Sequence, residues 1–260
     1  MNALEQEQII VLADIDDHFC HTTKKFRRYV GDEKVVGTPC VFDPAGKPLS
    51  FRSRKQTTYL DWLMAQARVI PVTGRSSDKF RLVKLGFTSH AIVSFGGIIL
   101  APDGVPDPVW LAHIREQSRL EADPLDTLVA TLSRKAAKEL DVTKVTDFDI
   151  ELFLKVQHPE SDQSKLDQAA AIIRENLPAG WVVHLNENQL CAYPQFLDKR
   201  LAVEYFLANL AGAYSLVIGA GDSHTDTGFM SVCDFMLAPT QSQIFRSLAT
   251  ESGIERKGNS

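Results

Sequence analysis

The chain has 260 residues, 44% hydrophobic and 23% charged, with a formal net charge of −5. This is the composition of an ordinary soluble protein long enough to bury a hydrophobic core, and its negative balance leaves no basic footprint for nucleic acid. No stretch approaches the roughly 20 apolar residues of a membrane span, and Glu5 and Glu7 stand where a signal peptide is basic and then apolar, so the chain reads as cytoplasmic, with no membrane partner.

The first expected element is a strand over 9–12, a continuous apolar run of the kind buried on both faces in a parallel sheet. It runs directly into Asp14, Asp16 and Asp17. The basic cluster Lys24-Lys25-Phe26-Arg27-Arg28 reads as a solvated helix face, and residues 42–48 as a turn between two short strands. Strand and helix then alternate: helix 56–68, strand 69–72, helix 77–85 and strand 91–93. After a different middle section comes a helix over 199–211, with apolar residues at Leu201, Val203, Phe206, Leu207 and Leu210, and then strands 216–218 and 235–237. Such alternation predicts an α/β fold with a Rossmann-like, doubly wound parallel sheet.

From about Pro106 to Tyr193 the pattern changes to helices over 113–120 and 124–140, a strand over 148–156, a helix over 164–176, and strands 181–185 and 189–193 around the short turn Asn186-Glu187-Asn188. This predicts a smaller α+β domain inserted into the core, so that residues 1–103 and 190–260 form the core and 104–189 the insertion. Cys20, Cys40, Cys191 and Cys233 show no C-x-x-C spacing and read as buried small hydrophobes rather than a zinc site or disulfide framework. Residues 257–260 read as a polar, mobile tail.

Ligands in parallel α/β sheets bind at the carboxyl ends of the strands, where the three acids lie. Asp14 and Asp16 are two apart, so in extended chain they point the same way, and two close carboxylates repel unless a cation sits between them. A hard cation such as Mg²⁺ would relieve that repulsion. Alone, D-x-D-D is equally a solvated turn capping the next helix.

Three further motifs follow expected strands or open an expected helix: Thr73-Gly74-Arg75, Lys199 in Leu197-Asp198-Lys199-Arg200-Leu201-Ala202, and Gly219-Ala220-Gly221-Asp222-Ser223-His224-Thr225-Asp226. With Asp14-Ile15-Asp16, their order and spacing resemble the haloacid dehalogenase-like phosphatases. Within them the chain is similar to the branch with an α/β cap that includes the Cof-type and sucrose-phosphatase-like enzymes. The likeness covers roughly residues 8–100 and 190–245. The segment Ser94-Phe95-Gly96-Gly97-Ile98-Ile99-Leu100 resembles the family's N-G-A-x-I before the cap.

The resemblance implies a Mg²⁺-dependent phosphatase. Asp14 would be the nucleophile, forming an aspartyl-phosphate, and Asp16 the proton carrier. Thr73, with the Gly74 backbone N–H, would hold the transferring phosphoryl group, and Arg75 would add a cation for substrate. Lys199 would neutralise charge on Asp14 and phosphoryl. The metal would fall to Asp14, Asp222 and the Asp16 carbonyl, with Asp226 acting through water or from behind the direct ligands. Asp17, His18, Arg200 and Thr225 depart from the family pattern. The insertion would close over the site, with Lys155, His184, Asn186, Glu187 and Asn188 as candidates for reading hydroxyls. The implied partner is a small phosphorylated metabolite, a sugar phosphate first, for a monomer or homodimer. A phosphomutase and an inactive binding protein on the same scaffold are the alternatives.

Overall fold

The computed structural model describes residues 8–30, 37–135, 139–160, 162–186 and 189–252. Glu5, Glu7, Glu187, Asn188 and the 257–260 tail lie outside them, as does the side chain of Asn186.

Strand β1 (Gln8–Ala13) buries Ile10, Val11, Leu12 and Ala13 alike, which is why its sequence shows no polar alternation. A loop leads through β2 (His21–Thr22) into helix α1 (Thr23–Val30). Strands β3 (Thr38–Phe42) and β4 (Pro48–Arg52) follow, joined by a turn in which Asp43 Oδ1 accepts from the Ala45 and Lys47 amides. Together β2, β4 and β3 form a small antiparallel sheet. Helix α2 (Arg54–Gln66) opens on a capping box: Ser53 Oγ accepts from the Gln56 N–H, and Gln56 Oε1 accepts from the Ser53 N–H.

Next is β5 (Arg68–Pro71), and then α3 (Ser77–Phe80), only four residues long where a helix over 77–85 was expected. The chain leaves the helix because β3 takes its backbone: the Phe42 N–H donates to Leu82 O at 3.2 Å and the Lys84 N–H to Cys40 O at 2.7 Å. Strand β6 (Ala91–Val93) pairs antiparallel with β7 (Ile98–Leu100), and meets the parallel sheet through one bridge between Val72 and Ile92.

In the middle section α4 (Pro108–Leu120) begins earlier than expected, capped by Asp107, whose Oδ1 accepts from the Trp110 amide, with Pro108 opening the first turn. It is followed by α5 (Ala122–Lys135), β8 (Asp141–Asp147), β9 (Ile150–Gln157), α6 (Gln163–Asn176), β10 (Trp181–Asn186) and β11 (Gln189–Pro194). The four strands form an antiparallel sheet in the order β10-β11-β9-β8. Leu125, Leu128, Leu132, Leu166, Ala169 and Ile173 of the helices pack on Leu154, Val156, Leu190 and Ala192 of this sheet. Strand β8 escapes the sequence pattern because it is an edge strand, Asp-Val-Thr-Lys-Val-Thr-Asp, with no apolar run. Its turn into β9 uses Phe148 and Asp149, both left-handed at φ 46° and 61°. Two left-handed residues are what a two-residue hairpin needs, though neither is the usual glycine.

The chain then returns through α7 (Lys199–Asn209), β12 (Tyr214–Ala220), α8 (Thr227–Met230), β13 (Phe235–Leu237) and α9 (Gln243–Glu251). Strands β13, β12, β1 and β5 make the parallel sheet, in that order. This is a mixed α/β fold with a Rossmann-like parallel sheet, and the strand order reverses between β1 and β12, the kind of switch point where such sheets bind ligands. Two compact units result, one up to Val105 and from Lys199 onward, the other Pro106–Asp198. The second boundary lies nine residues beyond the expected 189/190, because β11 is a member of the antiparallel sheet, paired to both β9 and β10. Among the described residues no helix is long and apolar enough to cross a membrane.

The return strand β12 packs closely at Gly219, where a Cβ would meet Met230 Cα at 2.9 Å and Cys233 Sγ at 3.0 Å. Gly219→Ala is expected to destabilise the fold by about 1–3 kcal/mol, as overpacking does. Equilibrium urea unfolding would show this, and a wild-type midpoint would mean that α8 yields without cost.

Candidate active site

Strand register assembles the site. Ala13 lies opposite Ala220 on one side and Pro71 on the other. The Asp14 N–H donates to Ala220 O and the Val72 N–H to Ala13 O, both at 2.8 Å. Residues 14, 221–222 and 72–73 therefore leave the sheet level with one another. Three of the four motifs meet here, and α7 brings the fourth.

Lys199, at the start of α7, is buried, and its Nζ donates to Asp14 Oδ1 at 2.8 Å and to Asp226 Oδ1 at 2.7 Å. Burial pushes its pKa down, but the two carboxylates outweigh burial and hold it above the usual lysine range. The ammonium is therefore charged throughout the physiological range. Asp14 goes the other way: burial, with Asp226 and Asp16 nearby, pushes its carboxyl up to about 8 against the pull of Lys199.

Asp226 is held on both oxygens. Its Oδ2 accepts from the Asp222 and Ser223 amides at 3.2 and 3.0 Å and from Ser223 Oγ at 2.8 Å. Burial would raise its pKa, but Lys199 and Ser223 keep it low. This close wrap requires Gly221, since a Cβ there would lie 2.6 Å from Asp226 Cβ. For Asp222, burial and then Asp14 and Asp226 push the carboxyl up to about 9 against the weaker pull of Lys199. Carboxylate oxygens of Asp14, Asp222 and Asp226 lie within 4.8 Å of one another. Buried, crowded carboxylates, of which Asp14 and Asp222 have raised proton affinity, all oxygen donors, fit a hard divalent cation. Asp14 and Asp222 would hold it directly, and Asp226, its oxygens already bonded, from behind.

Asp16 departs from that cluster. Its carboxylate turns to Arg75, which donates through Nε to Oδ2 at 2.8 Å and through NH2 to Oδ1 at 2.6 Å. The guanidinium expected to face substrate is thus engaged by an aspartate. Burial lowers the Arg75 pKa, but Asp16 more than restores it. Thr73 is buried, with its Oγ1 accepting from the Arg75 N–H at 3.2 Å. Gly74 has no room for a side chain: a Cβ would lie 2.6 Å from the Phe95 ring. Ser94, Phe95 and Gly96 are successive left-handed residues, at φ 53°, 56° and 94°. The Ser94 N–H donates to Arg75 O at 2.7 Å and the Phe95 N–H to Thr73 O at 3.2 Å, so the strained turn clamps the Thr73–Arg75 loop.

Asp17 and His18, which fit no family pattern, acquire structural roles. Asp17 is left-handed at φ 62°, and it accepts from His21 Nδ1 at 3.1 Å and from the Lys25 ammonium. Burial would raise its pKa, but these two donors hold it below the usual carboxylate range. The basic cluster is thus only partly a solvated face, since Lys25 ties α1 to the acidic loop. His18 is buried, with Nε2 3.3 Å from Tyr59 Oη, and burial pushes it down to about 4. Ser223 is the site residue that sequence reading missed; Thr225 bonds to it, Oγ1 to Oγ at 2.7 Å. His224 points to Ser247 Oγ at 3.1 Å, away from the three carboxylates.

The fold is that of the haloacid dehalogenase-like phosphatases. Sucrose-phosphatase from Synechocystis sp. PCC6803, solved in complex with sucrose and phosphate, matches with a TM-score of 0.53 at 16% identity, over 96% of this chain and 98% of that one. The C-terminal domain of C. albicans trehalose-6-phosphate phosphatase matches with a TM-score of 0.55 at 12% identity, over 86% and 73%. Thermoplasma acidophilum 0175 gives 0.55 at 12% identity, over 93% and 89%. No family model matches the sequence. No curated protein matches it either.

The raised pKa of Asp222 means that the folded site binds a proton the unfolded chain releases, so stability falls as pH rises from about 4 towards 9. With chelator present, Asp222→Asn is expected to raise Tm by about 2–4 °C for each kcal/mol relieved, and by more at pH 9 than at pH 6. A lower Tm at both would remove the electrostatic strain from the site. His18 has the opposite dependence. Its lowered pKa gives a contribution that is full above about pH 6.5 and lost as pH falls towards 4, on the order of 3 kcal/mol. Unfolding of His18→Asn should therefore be less steep in acid than wild type, and parallel curves would refute the buried neutral imidazole.

Proposed function

We propose that this chain is a Mg²⁺-dependent phosphomonoesterase that works through an aspartyl-phosphate on Asp14, with a small phosphorylated sugar as the first substrate class. The observation that carries this reading is Lys199, buried between Asp14 and Asp226 beside Asp222. The fold shared with sucrose-phosphatase and a trehalose-6-phosphate phosphatase domain supports the sugar phosphate.

In this mechanism an Asp14 oxygen attacks phosphorus in line, and the alkoxide leaves with a proton from Asp16. Lys199 offsets charge on Asp14 as the anionic ester approaches. The Thr73 hydroxyl and Gly74 N–H hold the phosphoryl oxygens. Water then displaces Asp14 and releases inorganic phosphate. Asp14, Asp222 and the Asp16 carbonyl would hold Mg²⁺, which would supply positive charge for the transferring phosphoryl group.

On a panel of sugar phosphates and other phosphomonoesters, turnover is expected to require Mg²⁺, to vanish in chelator, and to fall by about 10³-fold or more in Asp14→Asn. Unchanged turnover in Asp14→Asn would sink the nucleophile. Isomerised ester with no free phosphate in a single turnover would make the protein a phosphomutase. Inactivity on the whole panel would favour a binding protein.

A further inference from the structure

Arg75 follows the phosphoryl-binding Thr73-Gly74 pair, where a cation would ordinarily be assigned to substrate. Its fork is spent instead on the two Asp16 oxygens, at 2.8 and 2.6 Å. A bidentate guanidinium fixes the plane of a carboxylate as a single ammonium cannot. Both ends of this pair are anchored. On the Arg75 side, Ser94 bonds the Arg75 carbonyl, and the Phe95 ring fills the space beside Gly74. On the Asp16 side, the Phe19 N–H donates to Ile15 O at 3.0 Å and the Asp17 N–H to Cys20 O at 2.8 Å, closing a tight loop around the residue. Asp14, meanwhile, faces Lys199, so the two aspartates that alternate along the chain are drawn to different cations.

We propose that Arg75 is a positioning residue for Asp16, which it orients as the carboxylate that receives the proton of the hydrolytic water; this rests on the phosphomonoesterase reading above. In that step the water oxygen bonds to phosphorus and the bond from phosphorus to the Asp14 oxygen breaks. The electron pair returns to the Asp14 carboxylate, and the water proton passes to Asp16, to be given to the next leaving alkoxide. An aryl ester with a good leaving group needs no proton in the first step. Loss of the fork should therefore slow the second step selectively, on the order of 10²-fold for a misplaced group.

The test is rapid-quench and steady-state kinetics of Arg75→Ala and Arg75→Lys on p-nitrophenyl phosphate with Mg²⁺. Arg75→Lys keeps the charge but not the fork and decides the matter if the alanine variant does not fold. The expected result is a burst of one p-nitrophenol per enzyme, with kcat and KM falling together and phosphoryl-enzyme accumulating in the acid quench. A raised KM with kcat retained and no burst would place Arg75 on the substrate and overturn the proposal, as would wild-type kcat in either variant. If neither wild type nor variants carry acid-trapped phosphoryl on Asp14, the phosphomonoesterase reading itself falls, and this inference with it.

Discussion

One buried ammonium organises this site. Lys199 lies between Asp14 and Asp226 and lowers the proton affinity of both, against a burial in which an unpaired charge costs several kcal/mol. Even so, Asp14, Asp222 and Asp226 outnumber the single ammonium. The protein leaves that excess standing, and the raised proton affinities of Asp14 and Asp222 are its measure. Such strain is retained where charge is used, not where stability is at stake.

The three aspartates that follow β1 share little beyond their sequence neighbourhood. Each meets a cation from a different element: Lys199 from α7 for Asp14, Arg75 from the loop after β5 for Asp16, and Lys25 from α1 for Asp17. Separate partners hold adjacent acids apart, and in the proposed mechanism this leaves one to attack, one to handle protons and one to hold the loop. The left-handed Asp17 is the hinge of that division, since it reverses the chain immediately after the alternating pair.

Much of this was legible in the sequence. The strands 9–12 and 69–72 and the return through 199–237 gave the parallel sheet, which the expected strand 91–93 meets by one bridge only, and the four motifs that end its strands or open α7 do converge. What pattern could not supply was partner choice. Nothing near Arg75 in the chain says that its fork faces Asp16 rather than a substrate, because the two are 59 residues apart and joined only through β1–β5 pairing. The expected helix over 77–85 failed for a similar reason: residues 82–84 have helical neighbours in sequence but β3 as a neighbour in space. Strand β8 was missed because edge strands carry little apolar signal, and the late boundary because β11 belongs by pairing, not by composition, to the second sheet.

The 185 residues that separate Asp14 from Lys199 also order events during synthesis. β1 emerges before its partners, and one of its two sheet neighbours, β12, emerges only after the whole 106–198 unit. Until then β1 presents an apolar edge with unmet backbone donors and acceptors, the kind of surface that misassembles. An independent core in the 106–198 unit, folding as it appears, shortens the loop that must still be closed and so eases the late arrival of β12.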